Sequence, residues 1–346
     1  DVDNDGDIDL FIGGRVVTGR YGIDPPSYLM INNGQGKFED ATARLLPPVQ
    51  KGSLGMVTDA VWCDVNHDNR VDLVVVGEWM PITVMVQNEA GGFENRTEDY
   101  GLSKTNGWWN TIAADDFDTD GDIDFVAGNL GLNSRLRATE AEPVTMYIGD
   151  IDSNNSLDHI LTYYNQGKSY PLLSRDQLVK QVPALRRRFL KYENYKNVKL
   201  DDIIEPEMRQ KFSRKDVFTF GSVYIENLGN GKLAVKKLPA EAQMFPIFSF
   251  CIEDINDDGS ADILAVGNID AVQPDFGRYD AGYGLVLLGD GEGKFKTMAP
   301  QKSGFVVRGQ GRSIKRLAGS NNETVFLVSR NNDSIKVFKK PGKLRE

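Results

Sequence analysis

Short apolar runs recur along this chain, and clusters of Asp, Asn and Gly bound them. Asp9–Gly14 reads as a short buried strand that ends at glycines. Ser27–Asn32 followed by Asn33–Phe38 reads as a strand, a Gly-rich turn and a returning strand, which makes a hairpin. The same pattern recurs at Val84–Asn88 with Gly91–Phe93, at Val223–Asn227 with Gly229–Leu233, and at Leu285–Gly289 with Asp290–Phe295. A second unit, strand–acidic loop–strand, alternates with these hairpins. Joined, the two make a four-stranded antiparallel meander. Val57–Thr97 predicts all four strands in order: Asp59–Cys63, Val71–Gly77, Ile82–Gln87 and Gly92–Thr97. Phe248–Met298 predicts the same again.

Two regions depart from this period. Residues 174–212 read as a helical insertion on one face of the array. Ser174 with Gln177 makes a capping box, and Leu178, Val179, Val182, Leu185, Phe189 and Leu190 follow at helical spacing. A second short helix is predicted over Ile203–Phe212, with Pro206 near its start. The other region, Arg308–Lys340, has three strand-like runs (Arg312–Leu317, Thr324–Val328, Ser334–Phe338) and no acidic loop. It predicts a last unit without metal.

The acidic loops begin at Asp1, Asp64, Asp116, Asp150 and Asp254. Each carries Asp or Asn at the first, third and fifth positions and Asp at the ninth. These are Asp1, Asp3, Asp5 and Asp9; Asp64, Asn66, Asp68 and Asp72; Asp116, Asp118, Asp120 and Asp124. The last two sets are Asp150, Asp152, Asn154 and Asp158, and Asp254, Asn256, Asp258 and Asp262. Hard oxygen ligands at this spacing suit Ca²⁺. The backbone carbonyl of the seventh position would complete each set: Asp7, Arg70, Asp122, Ser156 and Ser260. Gly or Asn at the sixth position permits the sharp turn. An EF-hand needs Glu at position twelve, where this chain has Ile12, Val75, Ala127, Leu161 and Ala265. Calcium β-rolls need loops back to back, and these are not. Up to five Ca²⁺ are therefore expected. The Asp64 and Asp150 loops carry Asn69 and Asn155 in place of Gly and one Asn among their ligands, so they should empty first on chelation.

Loop starts are separated by 63, 52, 34 and 104 residues. A repeat of ~40–50 residues with four strands fits propeller blades. The expectation is an all-β fold, a β-propeller of about six or seven four-stranded blades spanning residues 1–346. The longest gap reads as two units, one lacking its loop. The 34-residue interval means a compressed blade or a loop at another corner. No strand precedes the Asp1 loop, so the sequence reads as starting inside a repeat of a longer protein.

The formal net charge is −10, and five divalent ions would cancel it. The acidity thus reads as metal capacity and argues against nucleic acid, whose binding rests on basic neutralisation of phosphates. Cys63 and Cys251 lie in apolar runs far apart and read as buried free thiols, with a disulfide as the alternative. No apolar run is long enough to span a membrane as a helix.

This pattern resembles the FG-GAP/VCBS repeats of integrin-type propellers. The likeness rests on the five loops and the strands after them. Gly107–Asn110, Gly128–Ser134 and Gly277–Gly284 look more narrowly like bacterial VCBS-repeat surface proteins, which are related to the propeller of cartilage acidic protein and often carry an ASPIC/UnbV-type module. No such module is legible in this chain. The resemblance implies a propeller, Ca²⁺ in the loops and an extracellular, periplasmic or outer-membrane location. It implies no catalytic activity. Sites of the extracellular class, with dissociation constants of ~10⁻⁴–10⁻³ M, would be mostly empty in a cytosol, which points the same way.

The remaining candidates are weaker. His67 and His159 lie in or beside acidic loops, where Ca²⁺ has no use for imidazole, and read as surface residues. The basic run around Arg186–Arg188 reads as a solvated face. Trp108 and Trp109 read either as a stacking platform for a sugar or partner or as blade packing. Arg278, Tyr279, Asp280 and Tyr283 occupy a long loop where propellers place binding residues. The function expected is a calcium-stabilised binding, adhesion or scaffold module for a protein or glycan at a cell surface. The rival is a polysaccharide lyase or hydrolase, with the same four loop residues as first suspects. A third reading is a structural module whose flanking domain carries the activity.

Overall fold

The computed structural model describes residues 1–47, 53–273, 276–319 and 323–340. Three antiparallel strands form the first sheet: β1 (Leu10–Ile12), β2 (Tyr28–Asn32) and β3 (Phe38–Asp40). The second sheet is the meander predicted for residues 57–97, with β4 (Met56–Cys63), β5 (Asp72–Met80), β6 (Thr83–Gln87) and β7 (Phe93–Asn95) in order. A two-residue strand, β8 (Gly107–Trp108), pairs with the far end of β5. The third sheet opens with β9 (Thr111–Asp115) and β10 (Asp124–Gly128).

The chain then leaves the third sheet and builds another. This inserted sheet contains β11 (Val144–Gly149), β12 (Asp158–Asn165), β13 (Lys168–Pro171) and β14 (Ser213–Val217). Only afterwards do β15 (Val223–Asn227) and β16 (Leu233–Lys237) complete the third sheet, β15 pairing with β10. The long gap between the Asp150 and Asp254 loops is therefore not a unit that lost its loop. The 34-residue interval is not a compressed blade either, because the Asp150 loop belongs to a sheet nested inside another unit. Its topology differs as well: the order is β13-β12-β11-β14, so the last strand pairs with the first.

The fourth sheet, β17 (Ile247–Glu253), β18 (Asp262–Gly267), β19 (Leu285–Gly289) and β20 (Phe295–Met298), repeats the meander. The fifth comprises β21 (Gly311–Ala318), β22 (Thr324–Arg330) and β23 (Asp333–Lys339), as the three runs after Arg308 predicted.

Burial on both faces explains the continuous apolar runs. Leu73, Val74, Val75 and Val76 on β5 are all fully buried. Alternate side chains of a strand face opposite sides. Leu73 and Val75 pack with Leu29 and Met85 towards the first sheet, whereas Val74 and Val76 pack with Phe125 and Ile225 towards the third. Phe125 and Ala127 of β10 face the second sheet, and Val126 faces the fourth. Ile263 and Ala265 of β18 face the third sheet, and Leu264 and Val266 the fifth. The five sheets thus stack in series, and their first strands adjoin: β4 on β9, β9 on β17, β17 on β21. Among the described residues no core cluster joins the fifth sheet to the first, so no closed ring is shown. Among the described residues the architecture is all-β, with five stacked antiparallel sheets and one inserted sheet.

Two local expectations are corrected. β1 is not buried: Leu10 and Ile12 are 43% and 49% exposed, while Phe11 between them packs inward. No described sheet covers the outward face of β1. The 174–212 insertion is mostly not α-helix. A single helix, α2 (Arg175–Gln181), starts at the Ser174–Gln177 capping box and stops before Pro183, which lacks an N–H and clashes with the preceding turn. (The first α-helix of the chain, α1, is the short turn Thr42–Leu45.) Beyond α2 the segment continues as 3₁₀ turns, and Pro206–Lys211 is one of these. Leu178, Val182, Phe189 and Ile203 still bury together over Ile160 of β12, but Leu190 is exposed. Among the described residues no helix is long and apolar enough to cross a membrane.

Candidate metal centres

All five acidic loops fold alike. The residues at positions four and six have left-handed backbones: Asn4 and Gly6, His67 and Asn69, Thr119 and Gly121, Ser153 and Asn155, Asp257 and Gly259, with φ between 57° and 95°. A β-branched residue rarely adopts this conformation, so Thr119 shows how firmly the loop dictates it. The turn aims main-chain N–H groups inward as an anion-binding nest. In four loops the two oxygens of the position-one carboxylate accept from the N–H groups of positions five and six, as Asp64 does from Asp68 and Asn69 at 3.1 and 2.7 Å. The position-five side chain accepts from the N–H of position seven in every loop.

The ninth position does more than sequence suggests. Asp72, Asp124 and Asp262 are completely buried, and Asp9 and Asp158 nearly so. In each, one oxygen accepts from the N–H of position two, at 2.7 to 3.2 Å. The other oxygen of Asp9, Asp72, Asp124 and Asp262 accepts from the N–H that ends the strand paired with the one after the loop: Asn32 of β2, Gln87 of β6, Asn227 of β15 and Gly289 of β19. Asp158 has no such donor, because β13 ends at Pro171 opposite Thr162 and never reaches it. Position two is apolar in all five loops; Val2, Val65, Phe117 and Ile255 are buried in the core and Ile151 packs against it partly buried. The apolar second position is the signal in the sequence that marks this packing.

Buried amides tie consecutive loops together. Gln87 Nε2 donates to Val2 O at 2.7 Å, and Asn227 Nδ2 donates to Val65 O at 3.0 Å. Because their main-chain N–H groups also serve Asp72 and Asp124, a continuous hydrogen-bonded path runs through the first three loops. His67 Nε2 approaches Asp122 Oδ1 at 3.3 Å, a contact between neighbouring loops.

Carboxylate oxygens of Asp1, Asp3 and Asp5, of Asp116, Asp118 and Asp124, and of Asp150, Asp152 and Asp158 converge to within 4.8 Å of one another. Two buried oxygens in these groups, Asp116 Oδ1 and Asp152 Oδ1, lack any hydrogen-bond donor. A buried polar atom without a partner is costly, and a cation would satisfy both. The Asp64 loop differs: its own Arg70 guanidinium bonds Asp68, and Asn66 donates to the same carboxylate. The Asp254 loop has a comparable Asn256–Asp258 contact.

Burial, opposed in part by hydrogen bonds, pushes Asp72, Asp124 and Asp262 up to about 6. A carboxyl that holds its proton more tightly when folded penalises folding above its folded pKa, and the penalty disappears as pH falls towards the unfolded value of ~3.9. Metal-free protein should therefore gain stability between about pH 7 and about pH 5. Melting in chelator at both values checks this, and a lower midpoint at the more acidic pH would count against it.

The other candidates separate. Trp109 is fully buried, its Nε1 donating to Thr105 O at 3.0 Å, so it cannot be a stacking platform. Trp108 is wedged between Trp79 and Phe220, with ring centroids 5.2 and 4.9 Å away, and it also serves packing. Tyr279 is drawn in by Ser134 Oγ at 3.2 Å and by a bridge to Ile269. Arg278, Asp280 and Tyr283 are exposed. Among the described residues no side-chain hydrogen bond or ion pair joins any two of these four. His159 bonds Tyr21 O at 2.8 Å on the surface. Cys63 and Cys251 are free, and burial raises both thiols, Cys63 to about 12.

The loop-and-strand geometry now has a counterpart among known families. Residues 1–75 and 64–127 match the FG-GAP-like repeat. These FG-GAP-like repeats take in the Asp1, Asp64 and Asp116 loops; the Asp150 and Asp254 loops lie beyond the matched residues yet share their hydrogen bonding. One similar solved structure is the V. cholerae biofilm matrix protein Bap1, at 10% identity and a TM-score of 0.31, over 92% of this chain and 69% of that one. A comparison with curated proteins finds no match.

Proposed function

We propose that the chain is a Ca²⁺-stabilised, extracytoplasmic binding or scaffold module that presents its surface to a protein or glycan at a cell surface. The observation that carries this reading is the pair of donor-less buried oxygens, Asp116 Oδ1 and Asp152 Oδ1, inside groups of three converging carboxylates. Asp1, Asp3 and Asp5, Asp116, Asp118 and Asp124, and Asp150, Asp152 and Asp158 would hold the ions. Bound Ca²⁺ supplies charge neutralisation and oxygen ligation, nothing more. The chain's own residues do the rest. The nests order the loops, and the position-nine carboxylates lock each loop to its hairpin. Gln87 and Asn227 hold neighbouring loops in register. Rigid sheets then leave the connecting loops free to vary and recognise.

A glycan and protein binding screen of the intact protein, with and without chelator, tests the link between metal and recognition. Binding should weaken in chelator. Binding indifferent to chelation would sink the claim that metal organises the recognising surface.

A further inference from the structure

We propose that the cleft where the β13 edge of the inserted sheet meets the 3₁₀-rich segment binds an acidic oligosaccharide. The cleft encloses about 530 Å³, within the range of small-ligand sites. Tyr163 of β12 and Tyr170 of β13 line it and pair directly across the strands, so their side chains rise from one face. Tyr192 also lines it and is 68% exposed. Its ring is held in place: the hydroxyl donates to Asp176 Oδ2 at 2.7 Å, and the Arg175 guanidinium stands 5.0 Å from the ring centroid. Arg175 is fixed in turn by the carbonyls of Phe189 and Leu190, at 2.7 and 3.0 Å. An aromatic platform ordered in advance loses little entropy on binding, and an amphipathic ring suits a ligand that is apolar on its face and polar at its rim.

Part of the polar lining is unused. Asn165, Asn197, Lys196 and the hydroxyls of Tyr163 and Tyr170 have no side-chain partner among the described residues. Amides and hydroxyls beside aromatic faces match a sugar, and Lys196 supplies the counter-charge for a carboxylate on it. Charge reinforces this choice. Residues 174–212 carry ten lysines and arginines against six acidic residues, in a chain whose net charge is −10. A basic island on an acidic molecule concentrates anions where the cleft lies.

This inference rests on reading the chain as a binding module but needs no metal in the loops. The test titrates calcium-loaded protein calorimetrically with tetrasaccharides of alginate, pectic galacturonan and hyaluronan, with neutral cellotetraose and a poly-Glu peptide as comparators. At least one uronate should bind more tightly than cellotetraose. Tyr192→Ala should weaken it roughly tenfold, and Lys196→Gln should erase the preference over the neutral sugar. Neither side chain is buried, so both variants should keep the wild-type melting midpoint, measured alongside. No uronate binding, binding untouched by both substitutions, or tighter binding of poly-Glu would each overturn the assignment. The same samples melted with and without calcium separate the two readings: a calcium shift without uronate binding defeats only the cleft, and uronate binding without a calcium shift defeats only the metal sites.

Discussion

Chelation should lower the melting midpoint of this protein by roughly 10–20 °C, and added calcium should restore it. The size follows from mass action. A ligand present at about 100 times its dissociation constant stabilises the state it prefers by about 2.7 kcal/mol per site. Three groups of converging carboxylates stand ready among the described residues. Acting independently, they would contribute on the order of 8 kcal/mol, comparable with the whole stability of an ordinary domain. The Asp64 and Asp254 loops can add to this, but weakly, whereas the Asp150 loop, expected from its Asn content to empty early, stands among the three converging groups. In the Asp64 loop Arg70 already neutralises Asp68, so this loop should release its ion first. Magnesium should substitute poorly, because it demands near-octahedral geometry and gives up water reluctantly. A midpoint equal in calcium and in chelator would mean that the loops are solvated turns.

Asp124→Ala should cost roughly 3–5 kcal/mol in calcium, more than the loss of any other single loop carboxylate. Its two oxygens accept from Phe117 N, Tyr224 Oη and Asn227 N at 3.2, 2.8 and 2.7 Å, and all three bonds are buried. In chelator the loss should shrink, because the substitution also removes a buried charge, but it should persist. Asp118→Ala makes the informative contrast. Asp118 accepts only one long bond, from Asp120 N at 3.3 Å, so in chelator its removal should change stability by less than about 0.5 kcal/mol. In calcium it should remove most of one site's stabilisation. Denaturant melts of both variants under both conditions give the four values. Equal losses for Asp118→Ala with and without calcium would deny it a ligand's role.

Much of this is legible in the sequence. Five loops with oxygen at fixed spacing, each entering an apolar strand, gave the sheets of residues 56–97 and 247–298 almost strand for strand. Excluding an EF-hand from Ala127 and its equivalents also agrees with the structure, since all five twelfth-position residues lie within strands. The nested sheet was not legible. Its strands look like any others, and only the pairing of β10 with β15, across residues 129–222, shows that the chain returns to finish a sheet it had left. Local pattern cannot specify such a long-range pairing. The helical spacing of residues 178–190 misled for a related reason: it marked which side chains bury over Ile160, while Pro183 decided where the helix ended. Trp109 was ambiguous because an indole serves a platform or a core equally well, and only its neighbours choose. The double duty of the ninth carboxylate is hidden because its second donor sits at the end of a neighbouring strand, 15 residues on for Gln87 and 103 for Asn227.

The most direct test of the metal assignment is an anomalous difference map from crystals grown in calcium. Peaks should stand inside the Asp1, Asp116 and Asp150 loops, each ringed by six to eight oxygens at ~2.3–2.6 Å, including one from Asp118 in the second of them. Loops that keep the same fold with no anomalous peak, their carboxylates bonded only to water and main-chain N–H groups, would contradict it.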